Sequence, residues 1–202
     1  SMTRLPRPPR RALTVTVAPR ASESSSCRRR VSASVFGRAG FVPASVGLNA
    51  ANTFTGPTTV TAGTLSLGAS GVLNDSSLLT VNGGTFNVTT FDETVDRVVL
   101  TSGTISGSSG KLTSTQPFDL QAGTVSAILA GVNVVKTTTG LVTLSGANSF
   151  TGQLQVNAGT LAISDSVMFS SGWMPITSRL GCIVAPLPAK IECGTQRNWI
   201  TI

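Results

Sequence analysis

Residues 51–67 read ANTFTGPTTVTAGTLSL, and residues 147–163 read ANSFTGQLQVNAGTLAI. The two stretches match along one register, which indicates an internal repeat. Within them lies a shorter pattern: an apolar residue, two variable residues, Gly-Thr and a second apolar residue. It occurs at Val60–Leu65, Val81–Phe86, Leu100–Ile105, Leu120–Val125 and Val156–Leu161, with a degenerate sixth copy at Gly140–Leu144. The first four glycines of the motif, at 63, 84, 103 and 123, are 19 to 21 residues apart, so the period is close to 20.

Apolar residues alternate with other residues on both sides of each Gly-Thr pair, as in Leu79/Val81 before Gly84 and Phe86/Val88 after it. A period of two places these side chains on one face of an extended strand. We interpret the glycine as a corner that a Cβ would obstruct, and the threonine as the start of the next strand. Asparagines are expected at the bends because Asn tolerates left-handed backbone geometry: Asn52, Asn82, Asn133, Asn148 and Asn157.

A single repeat unit cannot bury its own apolar face, whereas stacked units form continuous parallel sheets around a narrow core. The sequence therefore predicts an all-β fold, a parallel β-helix (β-solenoid) of about six rungs over residues 44–165. An antiparallel β-sandwich also has short strands and frequent turns. It does not predict one corner motif at a fixed period.

Composition divides the chain into three zones. Residues 1–43 are rich in Arg, Pro and Ser and lack periodic apolar positions, so we expect this segment to be disordered. Residues 166–202 differ from residues 44–165 in composition and repeat, and they are expected to form an irregular tail or a cap. The net charge of +7 comes from residues 1–38, where nine arginines accompany one glutamate. These arginines could neutralise phosphates or anionic lipid headgroups as a polyanion-binding arm, the alternative to a disordered basic tail. No aromatic residue lies among them before Phe36, so any such binding is expected to be nonspecific, and no specific nucleic-acid binding is predicted.

Asp92, Glu93 and Asp96 form the carboxylate cluster of the sequence. We interpret it as a solvated loop between rungs, with Arg97 as a local counter-charge. The alternative is a pair of carboxyl groups for glycoside hydrolysis. The chain has no histidine, which removes the commonest general base and the commonest metal ligand, and it lacks the Gly-Gly-x-Gly-x-Asp motif of calcium-binding β-rolls.

Lys111 and Lys136 are the amines that a histidine-free serine or threonine hydrolase would require in this zone, but their sequence context favours exposed loop charges. Cys27, Cys182 and Cys193 make a poor metal set without histidine. Pairing of Cys182 with Cys193 in an oxidising compartment is the alternative to free thiols. We therefore predict no catalytic residue, no metal site and no cofactor.

Residues 51–67, their second copy at 147–163 and the stretch Leu79–Phe86 resemble the autotransporter-associated β-strand repeat. This repeat occurs in passenger domains of bacterial autotransporter-type surface proteins. The resemblance implies a right-handed parallel β-helix at the cell surface or outside a Gram-negative-type cell. It also implies a noncatalytic stalk, spacer or adhesin, with host or matrix surface ligands or polysaccharide as partners. The alternative function is a carbohydrate-active β-helix enzyme that uses Asp92, Glu93 or Asp96.

Exposed strands at the two ends of such a solenoid make end-to-end self-association an expectation. No apolar stretch has the length of a membrane helix. The signal peptide and the C-terminal membrane barrel of the family are not recognisable in the sequence. We therefore expect either a fragment of a longer passenger or ends that are out of frame.

Overall fold

The computed structural model describes residues 45–52 and 54–163, and outside these ranges only the backbone of six strands. Within the described residues, no helix is long and apolar enough to cross a membrane. In chain order the strands are β1 (Leu13–Val17), β2 (Ser34–Val35), β3 (Ser45–Leu48), β4 (Thr58–Ala62), β5 (Thr64–Leu67), β6 (Leu78–Asn87), β7 (Glu93–Val95), β8 (Arg97–Ser106), β9 (Lys111–Ser114), β10 (Phe118–Leu120), β11 (Gly123–Val125), β12 (Ile128–Gly131), β13 (Val134–Lys136), β14 (Leu141–Leu144), β15 (Leu154–Val156), β16 (Gly159–Ile163), β17 (Met174–Ser178), β18 (Gly181–Val184), β19 (Glu192–Cys193) and β20 (Arg197–Ile200).

Most of the strands stack in three parallel ladders. The first ladder contains β4, the first halves of β6 and β8, and then β10, β13 and β15. The second ladder contains β3, β5, the second halves of β6 and β8, and then β11, β14 and β16. The third ladder is shorter and consists of β7, β9 and β12.

Each turn of the chain passes through the first ladder, a corner, the second ladder and a third side. Successive turns begin at β4, β6, β8, β10, β13 and β15, and the pairing between them is parallel. With neighbouring strands about 4.8 Å apart, six turns give a rod on the order of 29 Å long. The predicted all-β solenoid of about six rungs is confirmed, while its handedness stays a prediction.

Both long ladders continue past residue 163. β17 pairs with β15 and β18 pairs with β16 in parallel, and β20 and β19 then pair antiparallel with β17 and β18. Cys182 and Cys193 occupy directly paired backbone positions of β18 and β19. Their side chains lie outside the described residues, as does Cys27, so the disulfide stays a prediction. The boundaries after residues 43 and 165 and the disorder of residues 1–43 also stay predictions, because most of the residues concerned lie outside the described ranges.

Glycine forms the corner between the first and second ladders. Gly103 has a φ of 96°, and a Cβ built on it would lie 2.3 Å from the carbonyl oxygen of Gly84. Gly123 repeats this arrangement, with its Cβ position 2.4 Å from the carbonyl oxygen of Gly103. In the Gly83-Gly84 pair the positive φ belongs to Gly83, one residue before the predicted corner. The difference coincides with a register shift of β6 against β8 between Val81 and residue 85.

The core consists of columns of apolar side chains that run along the ladders. Both apolar residues of every clear motif copy have 0% exposure: Val60 and Leu65, Val81 and Phe86, Leu100 and Ile105, Leu120 and Val125, Val156 and Leu161. Burial of one such side chain contributes about 1.5–3 kcal/mol. The predicted inward face is therefore confirmed at all five copies.

The expected left-handed geometry of the asparagines is wrong. Among described residues other than glycine, Thr89 alone has a positive φ. The asparagines act through side-chain hydrogen bonds instead: the Nδ2 of Asn52 donates to the carbonyl of Ala50 at 3.2 Å, and that of Asn148 donates to the carbonyl of Gly146 at 3.0 Å. These two asparagines are equivalent positions of the long repeat, so the repeat conserves a local turn.

Candidate functional site

The predicted carboxylate cluster surrounds β7, the first strand of the third ladder. Side chains alternate along a strand, so Glu93 points into the core and is 1% exposed, whereas Asp92 is exposed and Asp96 is half-buried. A glycosidase pair requires two carboxyl groups that face the same sugar. The three residues are close together in the sequence. In the structure, however, the side chains of Asp92 and Glu93 do not face one common site.

Glu93 completes the hydrogen bonding of the preceding turn. Its Oε2 accepts hydrogen bonds from the backbone N–H groups of Val72 at 2.9 Å and Leu73 at 3.3 Å, and its Oε1 accepts one from Thr94 at 3.3 Å. Burial raises the pKa of Glu93 because it desolvates the carboxylate, the three donors oppose this effect, and the charge of Asp75 raises the pKa further. The third side of that turn has no strand of its own. The carboxylate of Glu93 therefore accepts the backbone hydrogen bonds that a neighbouring strand would accept.

Asp92 and Asp96 bind the turn that follows. The Oδ1 of Asp92 accepts a hydrogen bond from the backbone N–H of Lys111 at 2.9 Å. The Oδ1 of Asp96 accepts one from the hydroxyl of Thr115 at 2.9 Å. Each carboxylate thus connects two adjacent turns, which is a structural use of its charge.

Two parts of the loop interpretation are wrong. Glu93 lies in a strand and is buried, because the alternation of β7 turns it inward. Arg97 begins β8, and within the described residues it forms its ion pair with Asp119, at 3.9 Å from a carboxylate oxygen, and not with Asp92, Glu93 or Asp96. The Arg97 side chain is 53% exposed, and surface ion pairs of this kind contribute roughly 0–1 kcal/mol.

The two lysines have different environments. Lys111 is exposed, as expected, but it begins strand β9 instead of lying in a loop. The expectation of an exposed loop charge is wrong for Lys136, which ends β13 with 0% exposure. It is paired in the first ladder with Leu120 and Val156, so it occupies a position that is aliphatic in the neighbouring turns. Strand alternation forces the side chain inward although its ammonium group prefers water.

The ammonium group of Lys136 forms its hydrogen bonds within its own turn. The Nζ donates to the carbonyl oxygen of Thr138 and lies 3.3 Å from the Thr138 hydroxyl oxygen. Removal from water lowers the pKa of Lys136, and the carboxylate of Asp119 opposes this effect. An amine beside a hydroxyl is also the arrangement of a nucleophile with its base. Here the Thr138 hydroxyl donates to the carbonyl of Gln121 at 2.6 Å, so its proton is not directed at Lys136.

Sequence reasoning missed the inward direction of Glu93 and Lys136. The signal was available for Lys136, since Val134 lies two residues before it and the same spacing separates the buried pair Phe118 and Leu120. Within residues 45–52 and 54–163, no group of three or more acidic or cysteine side chains is arranged to hold a metal ion. The N-terminal arginines lie outside the described side chains.

The family model described as the passenger-associated-transport-repeat matches residues 48–67 and 134–163. The first match covers the turn that contains β4 and β5, and the second covers β13 to β16. The predicted resemblance to an autotransporter passenger repeat is therefore confirmed, and the turns between the two matches have the same ladder geometry. The comparisons with curated proteins and with solved structures found no match.

Proposed function

We propose that this chain, which carries passenger-associated-transport repeats in a β-solenoid, is a noncatalytic structural segment of a surface-displayed passenger. In this function it serves as a stalk or spacer, and its lateral faces are available for adhesion. The observation that carries the proposal is the coincidence of the two matched repeats with turns of one continuous parallel solenoid. Its location at the cell surface or outside the cell is part of the proposal.

The use of the polar side chains supports a structural role. Glu93, Asp92 and Asp96 each accept hydrogen bonds from another turn, so the candidate acids of a sugar-cleaving enzyme stabilise the stack. A repeat of this kind gains stability from the contact between neighbouring turns, and its length is set by the number of turns. These are the properties that a spacer requires.

A display experiment tests the proposal. The full 202-residue chain is placed between a bacterial export signal and an outer-membrane translocator barrel, and intact cells are treated with protease. We expect a protease-resistant fragment of the solenoid on the cell surface. The matched control carries Gly103→Val, which places a branched side chain where a Cβ alone lies 2.3 Å from the carbonyl of Gly84, and we expect it to lose this resistance.

Two results would contradict the proposal. The first is a chain that stays inside the cell while the barrel without it inserts normally. The second is a purified chain that cleaves a neutral or acidic polysaccharide, with cleavage lost in Asp92→Asn and Asp96→Asn variants. Adhesion of displaying cells to matrix proteins, compared with cells that carry the barrel alone, separates an adhesive face from a plain spacer.

A further inference from the structure

One column of the second ladder consists of threonine alone over five consecutive turns. Strand pairing aligns these residues directly from turn to turn: Thr64, Thr85, Thr104, Thr124 and Thr143. Each is followed by a buried apolar residue, so strand alternation directs the threonine away from the core. We call these five residues the threonine column.

The hydroxyls of the threonine column are unused. Within the described residues, none of the five hydroxyls forms a hydrogen bond, although Thr124 is exposed and the others are partly exposed. Threonines elsewhere differ, since the hydroxyl of Thr115 donates to Asp96 and that of Thr137 donates to Asp119. The column therefore presents five hydroxyl groups to whatever lies outside the face.

The surroundings of the column are uncharged, and most of them are small. The positions two residues before the five threonines are Ala62, Gly83, Ser102, Ala122 and Leu141, of which Leu141 is a large apolar residue with 55% exposure at the last turn. The positions two residues after them are Ser66, Asn87, Ser106, Ser126 and Ser145. No acidic, basic or aromatic side chain points outward from these rows, so the face lacks groups for ion pairing and for stacking on sugar rings. The partner that fits is neutral, periodic and able to donate and accept hydrogen bonds.

The spacing of neighbouring strands fits one partner of this kind. Neighbouring parallel strands lie about 4.8 Å apart, which is the repeat of the hydroxyls along the solenoid. In a tetrahedral lattice of water with O–H···O distances of about 2.75 Å, second-neighbour oxygens lie about 4.5 Å apart. The difference is about 0.3 Å for each turn, so a lattice centred on Thr104 is displaced by only about 0.6 Å at Thr64 and Thr143. Threonine is stiff at χ1, which keeps each methyl and hydroxyl group in a defined arrangement.

We propose that the threonine column binds the surface of ice. Ordered water in ice supplies the neutral lattice of donors and acceptors that the unused hydroxyls match, and the methyl groups fill the spaces between the water molecules. This binding goes beyond surface display and does not depend on it, because it concerns the purified chain. A neutral polysaccharide is the competing occupant.

Ice partitioning and inhibition of ice recrystallisation test the proposal with the purified full chain. We expect the wild type to enter slowly growing ice and to retard recrystallisation. Thr104→Lys places a long charged side chain at the centre of the column and holds the lattice away, so about tenfold more protein is needed for the same retardation. The matched control is Thr80→Lys, a partly exposed threonine of the first ladder that lies between buried Leu79 and Val81.

Circular dichroism melts establish that both variants fold. If Thr104→Lys unfolds, Thr124→Lys at the most exposed position of the column takes its place. The proposal is overturned if the wild type is excluded from ice like an inert protein of equal mass. It is also overturned if the column variant and Thr80→Lys behave alike, or if the column binds a neutral polysaccharide and has no effect on ice.

Discussion

Replacement of Lys136 with leucine is expected to stabilise the solenoid by about 1–3 kcal/mol at neutral pH. Lys136 is fully buried between Leu120 and Val156 of the neighbouring turns. Full burial of a leucine side chain contributes about 1.5–3 kcal/mol, and removal of a desolvated charge adds to this. Loss of the hydrogen bond from the charged ammonium to the carbonyl of Thr138 removes about 1.5–3 kcal/mol and offsets part of this gain.

Urea unfolding followed by circular dichroism measures this effect at neutral and alkaline pH. The pKa of Lys136 is lower in the folded chain than the ordinary value of 10.5, so between the folded pKa and 10.5 the unfolded chain binds more protons. The free energy of unfolding of the wild type therefore rises with pH in that window. The leucine variant lacks this rise, and its advantage over the wild type shrinks as the pH approaches 10.5.

Lys111→Leu is the matched control because Lys111 is exposed, and we expect a change within about 0.5 kcal/mol. Two results would refute the reasoning about Lys136. One is a Lys136→Leu variant less stable than the wild type by about 1 kcal/mol or more at neutral pH. The other is an alkaline rise in stability that persists in the variant.

Three further changes test the corner and the buried polar groups. Gly103→Ala is expected to lower the free energy of unfolding by roughly 2–4 kcal/mol, because its Cβ meets the carbonyl of Gly84. Gly71 has a φ of 62° and open space around its Cβ position, so Gly71→Ala is expected to cost about 1–2 kcal/mol. Equal costs in urea unfolding would contradict the stacked corner. The pKa of Glu93 is raised in the folded chain, so its contribution to stability is complete below pH 4.5 and falls as the pH rises through the folded pKa. Thermal melts between pH 4 and 8 should show this decrease in the wild type, and the decrease should be absent in Glu93→Gln. The hydroxyl of Thr58 is buried and has no hydrogen-bond partner among the described residues, so Thr58→Val should stabilise by about 1 kcal/mol. A destabilised variant would show that the hydroxyl forms a hydrogen bond.

Sequence periodicity was sufficient for the repeating part of the fold. The motif predicted strand, corner and strand because alternation with a period of two indicates an extended strand and a recurring glycine indicates a corner. The same reasoning located Val60, Phe86 and Leu161 in the core, and it failed at Gly83 because two adjacent glycines leave the position of the corner open.

The third ladder was not predictable in the same way. Its strands β7, β9 and β12 lack a shared motif, and their pairing depends on which residues the first two ladders bring into register. The charge of Glu93 favours a solvated loop, whereas its alternation with buried Val95 turns it inward in a strand. A buried carboxylate is stable there only because the preceding turn supplies the N–H groups of Val72 and Leu73, which sequence alone does not reveal.

Buried polar groups also differ in what they specify about the order of the turns. The apolar side chains of successive turns are similar, so strands whose pairing is shifted by one full turn would still place leucine against valine. The Oδ1 of Asn148 accepts from the backbone N–H of Leu129 at 2.9 Å, a bond across 19 residues that a slip would break. The bond from Lys136 to Thr138 stays within one turn and would move with it, so it carries no information about register.

This difference predicts opposite results for two variants in hydrogen exchange followed by mass spectrometry. Lys136→Leu should give one exchange envelope for peptides that cover β12 to β14, as the wild type does. Asn148→Ala should leave the Leu129 N–H without a partner, cost about 1–3 kcal/mol and give faster or bimodal exchange in the same peptides. A bimodal envelope for Lys136→Leu with an unchanged one for Asn148→Ala would reverse the assignment and make the buried ammonium the group that sets the register.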